Sequence, residues 1–228
     1  MNILALDTSM GACSAAVLRA GDARRLEALQ VEMPRGHAEA LMPMVDEVLA
    51  EAEIGASELD LIAATVGPGS FTGMRIAIAA ARGLALVTSA KLFGTDSLSV
   101  MARAALLAGA DPQGPFAVAV DARRGMLYLG LFDETAAKMD GPLLIAPDDA
   151  AAMLPKNLAL AVGSGAGALA ESASARGLSV GATLETLQPS AAALAEIAHE
   201  RGETCEVLRP LYLRPPDAKP QAPTLERR

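Results

Sequence analysis

Aromatic residues, histidine, cysteine and positive charge are all in short supply, and each shortage closes off a class of function. Only 3% of the 228 residues are aromatic and none is Trp, so the apolar content has to consist of small and aliphatic side chains. His37 and His199 are the two histidines, too few for a metal centre built from several imidazoles. A Ser-His-Asp hydrolase would depend on one of them, and no motif presents a serine. Cys13 and Cys205 stand apart without the CxxC spacing of a metal or redox site, and both read as buried thiols. Lys and Arg number 19 against 27 Asp and Glu, a net charge of −8. A surface of that sign repels phosphate backbones, which argues against unaided nucleic-acid binding. Long hydrophobic runs are missing too. Ile76–Leu86 is interrupted by Arg82 and falls short of the ~20 residues a bilayer span needs. Met1–Leu6 reads directly into a strand with no basic leader. A cytoplasmic protein without a membrane segment is expected.

What is present is a chain 52% apolar, far too hydrophobic for disorder, with much of that share supplied by alanine. Asn2–Leu6, Cys13–Arg19 and Arg25–Met33 predict three strands of an antiparallel meander. Leu41, Val45, Val48, Leu49 and Ala52 recur at helical spacing, with Pro43 predicting an irregular or kinked first turn. A buried strand at Leu59–Val66, a glycine-rich turn and a helix Thr72–Val87 follow, then a short strand at Leu92-Phe93 and a helix Leu98–Leu107. Gly109–Pro115 is rich in breakers and reads as a linker. Beyond it the order recurs: strands Phe116–Val120, Met126–Phe132 and Pro142–Ile145, helix Pro147–Met153, strand Leu158–Val162, a glycine turn Gly163–Gly167 and another helix. Helix Ala191–His199 is assigned to the second half. The expected division is a lobe at 1–109, a lobe at 110–213 and a proline-rich, disordered tail at 214–228.

Three features bear on chemistry, and each has two readings. Gly67-Pro68-Gly69-Ser70-Phe71-Thr72-Gly73 lies between a strand and a helix. It is either an anion cradle of backbone N–H groups or a tight turn with a capped helix. It is not a Walker loop, because Met74-Arg75 stands where Lys-Ser/Thr belongs. Asp7 and Asp121 close the first strand of each half. They either face each other across a cleft and hold a hydrated metal on a nucleotide phosphate, or accept hydrogen bonds from their own turns. Candidate phosphate contacts are Asp7, Thr8, Ser9, Gly67, Gly69, Ser70 and Asp121. His37 begins a helix, as a capping or surface residue or as a proton-transfer group. The Thr72–Val87 helix is apolar nearly all round, with small Ala77, Ala80, Ala81 and Gly83, and packs on the sheet or against a partner.

Ile3–Ser9 (ILALDTS), Arg35–Pro43 (RGHAEALMP), Gly67–Arg75 (GPGSFTGMR) and Ala81–Leu84 (ARGL) together resemble the TsaB family, also called YeaZ, across roughly residues 1–105. Asp121-Ala122-Arg123 and Leu211–Arg214 extend the likeness weakly. The resemblance implies an α/β, actin-like ATPase fold of the sugar-kinase and chaperone superfamily, RNase H-like, with two similar lobes and mixed sheets. It implies a non-catalytic subunit in the synthesis of N6-threonylcarbamoyladenosine at position 37 of tRNAs reading codons that start with A. Such a subunit pairs through its first two helices with a catalytic, metal-bearing TsaD-like paralogue and recruits a TsaE-like ATPase. It meets tRNA only indirectly and forms a homodimer when the partner is absent. Carried over, the interface residues are His37, Leu41, Val45, Phe71, Met74, Arg75 and Ile78. The paralogue's two metal-binding histidines have no counterpart in Gly94–Met101 (GTDSLSVM), so neither a metal nor a firmly bound cofactor is expected, with ATP or ADP at the partner interface. A small-molecule kinase of the same fold, using Asp7 and Asp121, is the alternative.

Overall fold

The computed structural model describes residues 1–21, 23–202, 204–205 and 207–214; the expected tail from 215 to 228 lies outside them. The first sheet contains β1 (Asn2–Asp7), β2 (Ala12–Arg19), β3 (Arg25–Glu32), β4 (Leu61–Thr65) and β5 (Lys91–Thr95), in the order β3-β2-β1-β4-β5. β1, β2 and β3 are antiparallel, and β4 and β5 run parallel to β1. The second sheet contains β6 (Phe116–Asp121), β7 (Leu127–Phe132), β8 (Lys138–Ile145), β9 (Leu160–Val162) and β10 (Gly181–Thr183). Its order, β8-β7-β6-β9-β10, reproduces the first one strand for strand. Two copies of this RNase H-like unit make the actin-like ATPase fold, with α1 (His37–Glu51), α2 (Phe71–Thr88), α3 (Ser97–Leu107), α4 (Pro147–Met153), α5 (Ala166–Ala175) and α6 (Ala191–Arg201) packed on the sheets. β8 is longer than Pro142–Ile145 and β10 was not foreseen, since three exposed residues carry no alternation to read. Pro43 lies inside a helix that runs on from His37 to Glu51.

β1 is continuously apolar because helices cover both faces of its sheet. Leu4 and Leu6 join the cluster under α1 and α2, with Val17, Ile62, Val45, Ala77 and Ile78. Ile3 and Ala5 point the other way, with Leu18, Phe93 and the α6 residues Leu194 and Ile197. So α6, expected to complete the second half, closes the N-terminal lobe, and the lobe drawn at 110–213 has to be redrawn around it. Its Ala191, Ala195 and Ala198 have no methylenes to hold it off β1 and β2, and all are buried. α3 is shared: Val100 and Ala104 pack toward α6, while Leu98, Met101 and Ala102 pack on Phe116, Val118 and Phe132 of the second sheet. Among the described residues α2 alone is long and apolar enough to cross a membrane, at 18 residues. One side of it (Gly73, Met74, Ala77, Ile78, Ala81) is buried, and Arg75 and Arg82 lie on the other.

Candidate interlobe cleft and docking face

The Asp7-Thr8-Ser9 turn and the Gly67–Gly73 loop form one buried knot. Thr8 Oγ1 donates to Gly73 O at 2.6 Å and accepts from Ala77 N at 3.1 Å, while Ser70 N donates to Ser9 O at 2.7 Å. The glycines are there for this approach. A Cβ at Gly73 would stand 2.0 Å from Thr8 O, and one at Gly69 would stand 2.2 Å from Ser9 O. Asp7, Thr8 and Ser9 have no solvent exposure at all. The Asp7 carboxylate accepts from Ser9 N at 3.2 Å, from Ser9 Oγ at 2.8 Å and from Thr65 Oγ1. Burial nevertheless dominates and pushes its pKa up to about 6. Asp7, Thr8 and Ser9, the candidate phosphate contacts of the first half, join β1 to the start of α2, and of the loop's N–H groups Ser70 N and Gly73 N bond within the protein. Ser70 is exposed, and its side chain accepts from Gly73 N as the helix cap.

Asp121 behaves differently. It is exposed, and its Oδ1 accepts from Arg123 N at 2.7 Å, the same turn bond that Asp7 makes two residues on. Ser164 Oγ accepts from Asp121 N at 3.1 Å. Both lie in a cleft of about 1140 Å³ between the lobes, whose lining also includes Arg35, His37, Ser70 and Tyr212. Asp7 is not part of that lining, so the two aspartates do not face each other across the cleft. His37 is half-buried at the cleft edge, and its Nε2 has no hydrogen-bond partner.

The residues carried over as partner contacts divide into two groups. Leu41, Val45 and Ile78 are between 1% and 4% exposed and belong to the N-terminal core, while Met74, 2% exposed, lies under the Gly67 turn at the cleft. The stripe formed by Leu41, Val45 and Ile78 faces the sheet rather than solvent. Phe71 and Arg75 are exposed. The outward face of the two helices comprises Met42, Asp46 and Glu47 on α1, and Ala79, Arg82, Gly83, Leu86 and Val87 on α2. Among the described residues Leu86 is 86% exposed and Val87 79%, a large apolar surface.

The family model described as TsaD, tRNA N6-adenosine threonylcarbamoyltransferase, matches residues 31–201. The Haemophilus influenzae tRNA threonylcarbamoyladenosine biosynthesis protein TsaB is 39% identical over 105 residues, 46% of this chain and 43% of that protein. Against the three TsaB proteins matched first, this chain therefore spans only about half of their length. An uncharacterized protein of Mycobacterium tuberculosis is 33% identical over 96% of this chain and 95% of its own. YeaZ from Pseudomonas aeruginosa superposes with a TM-score of 0.77 at 32% identity, over 93% of this chain and 99% of that one.

The chain belongs to the TsaB/YeaZ family.

Within this TsaB-family chain, the stretch Gly94–Met101 is occupied structurally. Asp96 caps α3 by accepting from Ser99 N at 2.9 Å and pairs with Lys138 of the other lobe at 3.0 Å, while Ser97, Ser99 and Met101 are buried. Among the described residues no three His, Cys, Asp or Glu side chains cluster as metal ligands. Cys13 is buried, and burial together with the Asp7 charge pushes its thiol up to about 11. Cys205, expected to be buried, is exposed. Tyr212, within the Leu211–Arg214 stretch of weak likeness, joins the exposed pair Phe71 and Arg75. It stacks on Phe71 with ring centroids 5.1 Å apart, and Arg75 Nε donates to its hydroxyl at 2.7 Å. Its signals in the sequence are the rarity of aromatics and the weak likeness of Leu211–Arg214.

Proposed function

We propose that this chain is a non-catalytic docking subunit in the synthesis of N6-threonylcarbamoyladenosine at position 37 of tRNAs reading codons that start with A. Its partner is a TsaD-like catalytic, metal-bearing paralogue, and a TsaE-like ATPase joins the pair. The observation that carries this reading is the outward face of α1 and α2. It combines Met42, Leu86 and Val87 with charges of opposite sign on the two helices. α1 bears Glu39, Asp46, Glu47 and Glu51 and no Lys or Arg, while α2 bears Arg75 and Arg82 and no Asp or Glu. A similar helix pair, turned to lay its acidic helix on this basic one, satisfies both signs at once. A related paralogue fits that description, and so does a second copy of this chain when the paralogue is absent.

The acidic surface suits a subunit that meets tRNA only through its partner, in the cytoplasm. The burial of Asp7 supports a chain that holds no nucleotide of its own, so an ATP or ADP of the assembly lies at the partner interface. The same burial counts against a small-molecule kinase, whose metal-nucleotide needs a carboxylate within reach. The test is to mix the chain with the TsaD-like protein of the same genome, follow the mixture by gel filtration, and assay tRNA modification. We expect a complex from the two proteins and, with the TsaE-like ATPase, ATP and an activated threonylcarbamoyl donor supplied, modification that this chain alone does not give. Leu86→Glu with Val87→Glu should abolish the complex while leaving the thermal midpoint in place. Undiminished complex formation by that double variant would sink the docking reading.

A further inference from the structure

After α6 the described residues run back along the N-terminal lobe and bring Tyr212 to the docking face. Cys205 N donates to Leu92 O at 2.8 Å, Leu208 is 2% exposed in the core under α1 and α2, and Leu211 N donates to Val66 O at 2.7 Å. Two glycines make room for it. A Cβ at Gly94 would stand 2.7 Å from Leu208 Cδ2, and one at Gly67, where φ is +107°, would stand 2.9 Å from Leu211 O. This anchored strap delivers Tyr212 to the first turn of α2. There it stacks on Phe71 at 5.1 Å with an interplanar angle of 28°, and its hydroxyl accepts from Arg75 Nε at 2.7 Å. The Arg75 guanidinium carbon lies 3.8 Å from the centroid of the Phe71 ring. The three side chains hold one another, although Phe71 is 44% and Tyr212 40% exposed.

Exposed Phe and Arg side chains ordinarily lose rotamer freedom when a partner immobilises them, which weakens binding by a measurable amount for each one. Here that ordering is done before docking. We infer that Tyr212 is a positioning residue for the docking face. It fixes Phe71 and Arg75 in one arrangement, so that an acidic side chain of the partner meets a guanidinium already oriented over an aromatic ring. The inference rests on the docking reading above. It adds to the face a residue far from both helices in sequence.

The experiment measures affinity for the TsaD-like protein of the same genome by calorimetry, with the full chain and four variants. Tyr212→Ala should weaken binding roughly tenfold, with two side chains left to be ordered on docking, at an unchanged thermal midpoint. Tyr212→Phe keeps the stack and should recover most of that loss, which a merely structural role would not predict for binding. Phe71→Ala and Arg75→Glu should weaken binding at least as much as Tyr212→Ala. Wild-type affinity in Tyr212→Ala, beside losses in Phe71→Ala and Arg75→Glu, overturns the positioning role and leaves the docking reading intact. Wild-type affinity in all of them removes the docking reading as well. A second readout needs no partner. Tyr128 and Tyr212 are the two tyrosines and there is no Trp, so Tyr128→Phe leaves Tyr212 as the sole emitter. Its fluorescence anisotropy should drop on adding Phe71→Ala; an unchanged value means that the stack does not hold the ring, and the inference fails.

Discussion

Asp7 ends the central strand without solvent contact, beneath three donors that favour its charge and a burial that opposes it more strongly. With its folded pKa raised from 3.8 to about 6, the neutral form is the one the fold prefers. The stability this group contributes is fully present below the unfolded pKa and is lost as pH rises through the folded one. The size of that loss is about 3 kcal/mol. Asp7→Asn removes the titration while keeping the shape. Relative to wild type it should therefore gain stability between pH 4 and pH 7, by up to that amount. Urea unfolding of both proteins at several pH values checks it, since every other carboxylate cancels in the difference. A difference flat across that range would mean that Asp7 titrates normally. The sequence placed an acidic residue at a strand end and left open whether it faced a ligand or its own turn. Deciding that required knowing that residues 67–73 fold over it, a contact some sixty residues away along the chain.

At the scale of the element, α1 and α2 show how much periodicity can carry. The spacing of Leu41, Val45, Val48 and Leu49 identified a helix and its apolar stripe correctly, and that stripe is the core face. The family likeness then put Leu41 and Val45 at a partner interface, contrary to what amphipathicity implies for a helix lying on a sheet. α2 was harder because it is apolar on more than one side. Ile78 and Ala81 on the sheet side are no more hydrophobic than Leu86 and Val87 on the open side. Composition alone cannot orient such a helix; the Ser70 cap and the close approach at Gly73 do. It follows that Ile78→Asp and Leu86→Asp, two similar changes on one helix, should behave oppositely. Ile78→Asp buries an unpaired charge and should cost more than about 4 kcal/mol, with loss of soluble protein. Leu86→Asp should stay within about 0.5 kcal/mol of wild type. Thermal unfolding of the two variants checks the assignment, and equal effects would contradict it.

At the scale of the molecule, the repeat of two sheets was legible because each half runs strand, strand, strand, helix, strand in the same order, with matching turn chemistry. The assignment of α6 was not, because a buried face of Ala, Leu and Ile carries no mark of which sheet it covers. Its position has a thermodynamic consequence. Leu194 and Ile197 of α6 fill the core beside Ile3 and Leu18, and α3 contributes Leu98 and Met101 to the second lobe while its Val100 faces α6. Each sheet loses the core on one of its two faces if the other lobe's chain comes away. Two lobes joined by a linker at 109–115 would melt separately, whereas this arrangement should give one calorimetric transition with equal calorimetric and van't Hoff enthalpies. Leu194→Ala sharpens the test, since it leaves a cavity in the N-terminal lobe by a change in the C-terminal part of the chain. A loss of about 3 kcal/mol should lower the whole transition by roughly 6–12 °C without splitting it. A second transition left at the wild-type temperature would show that the second lobe folds independently and that α3 does not couple the two.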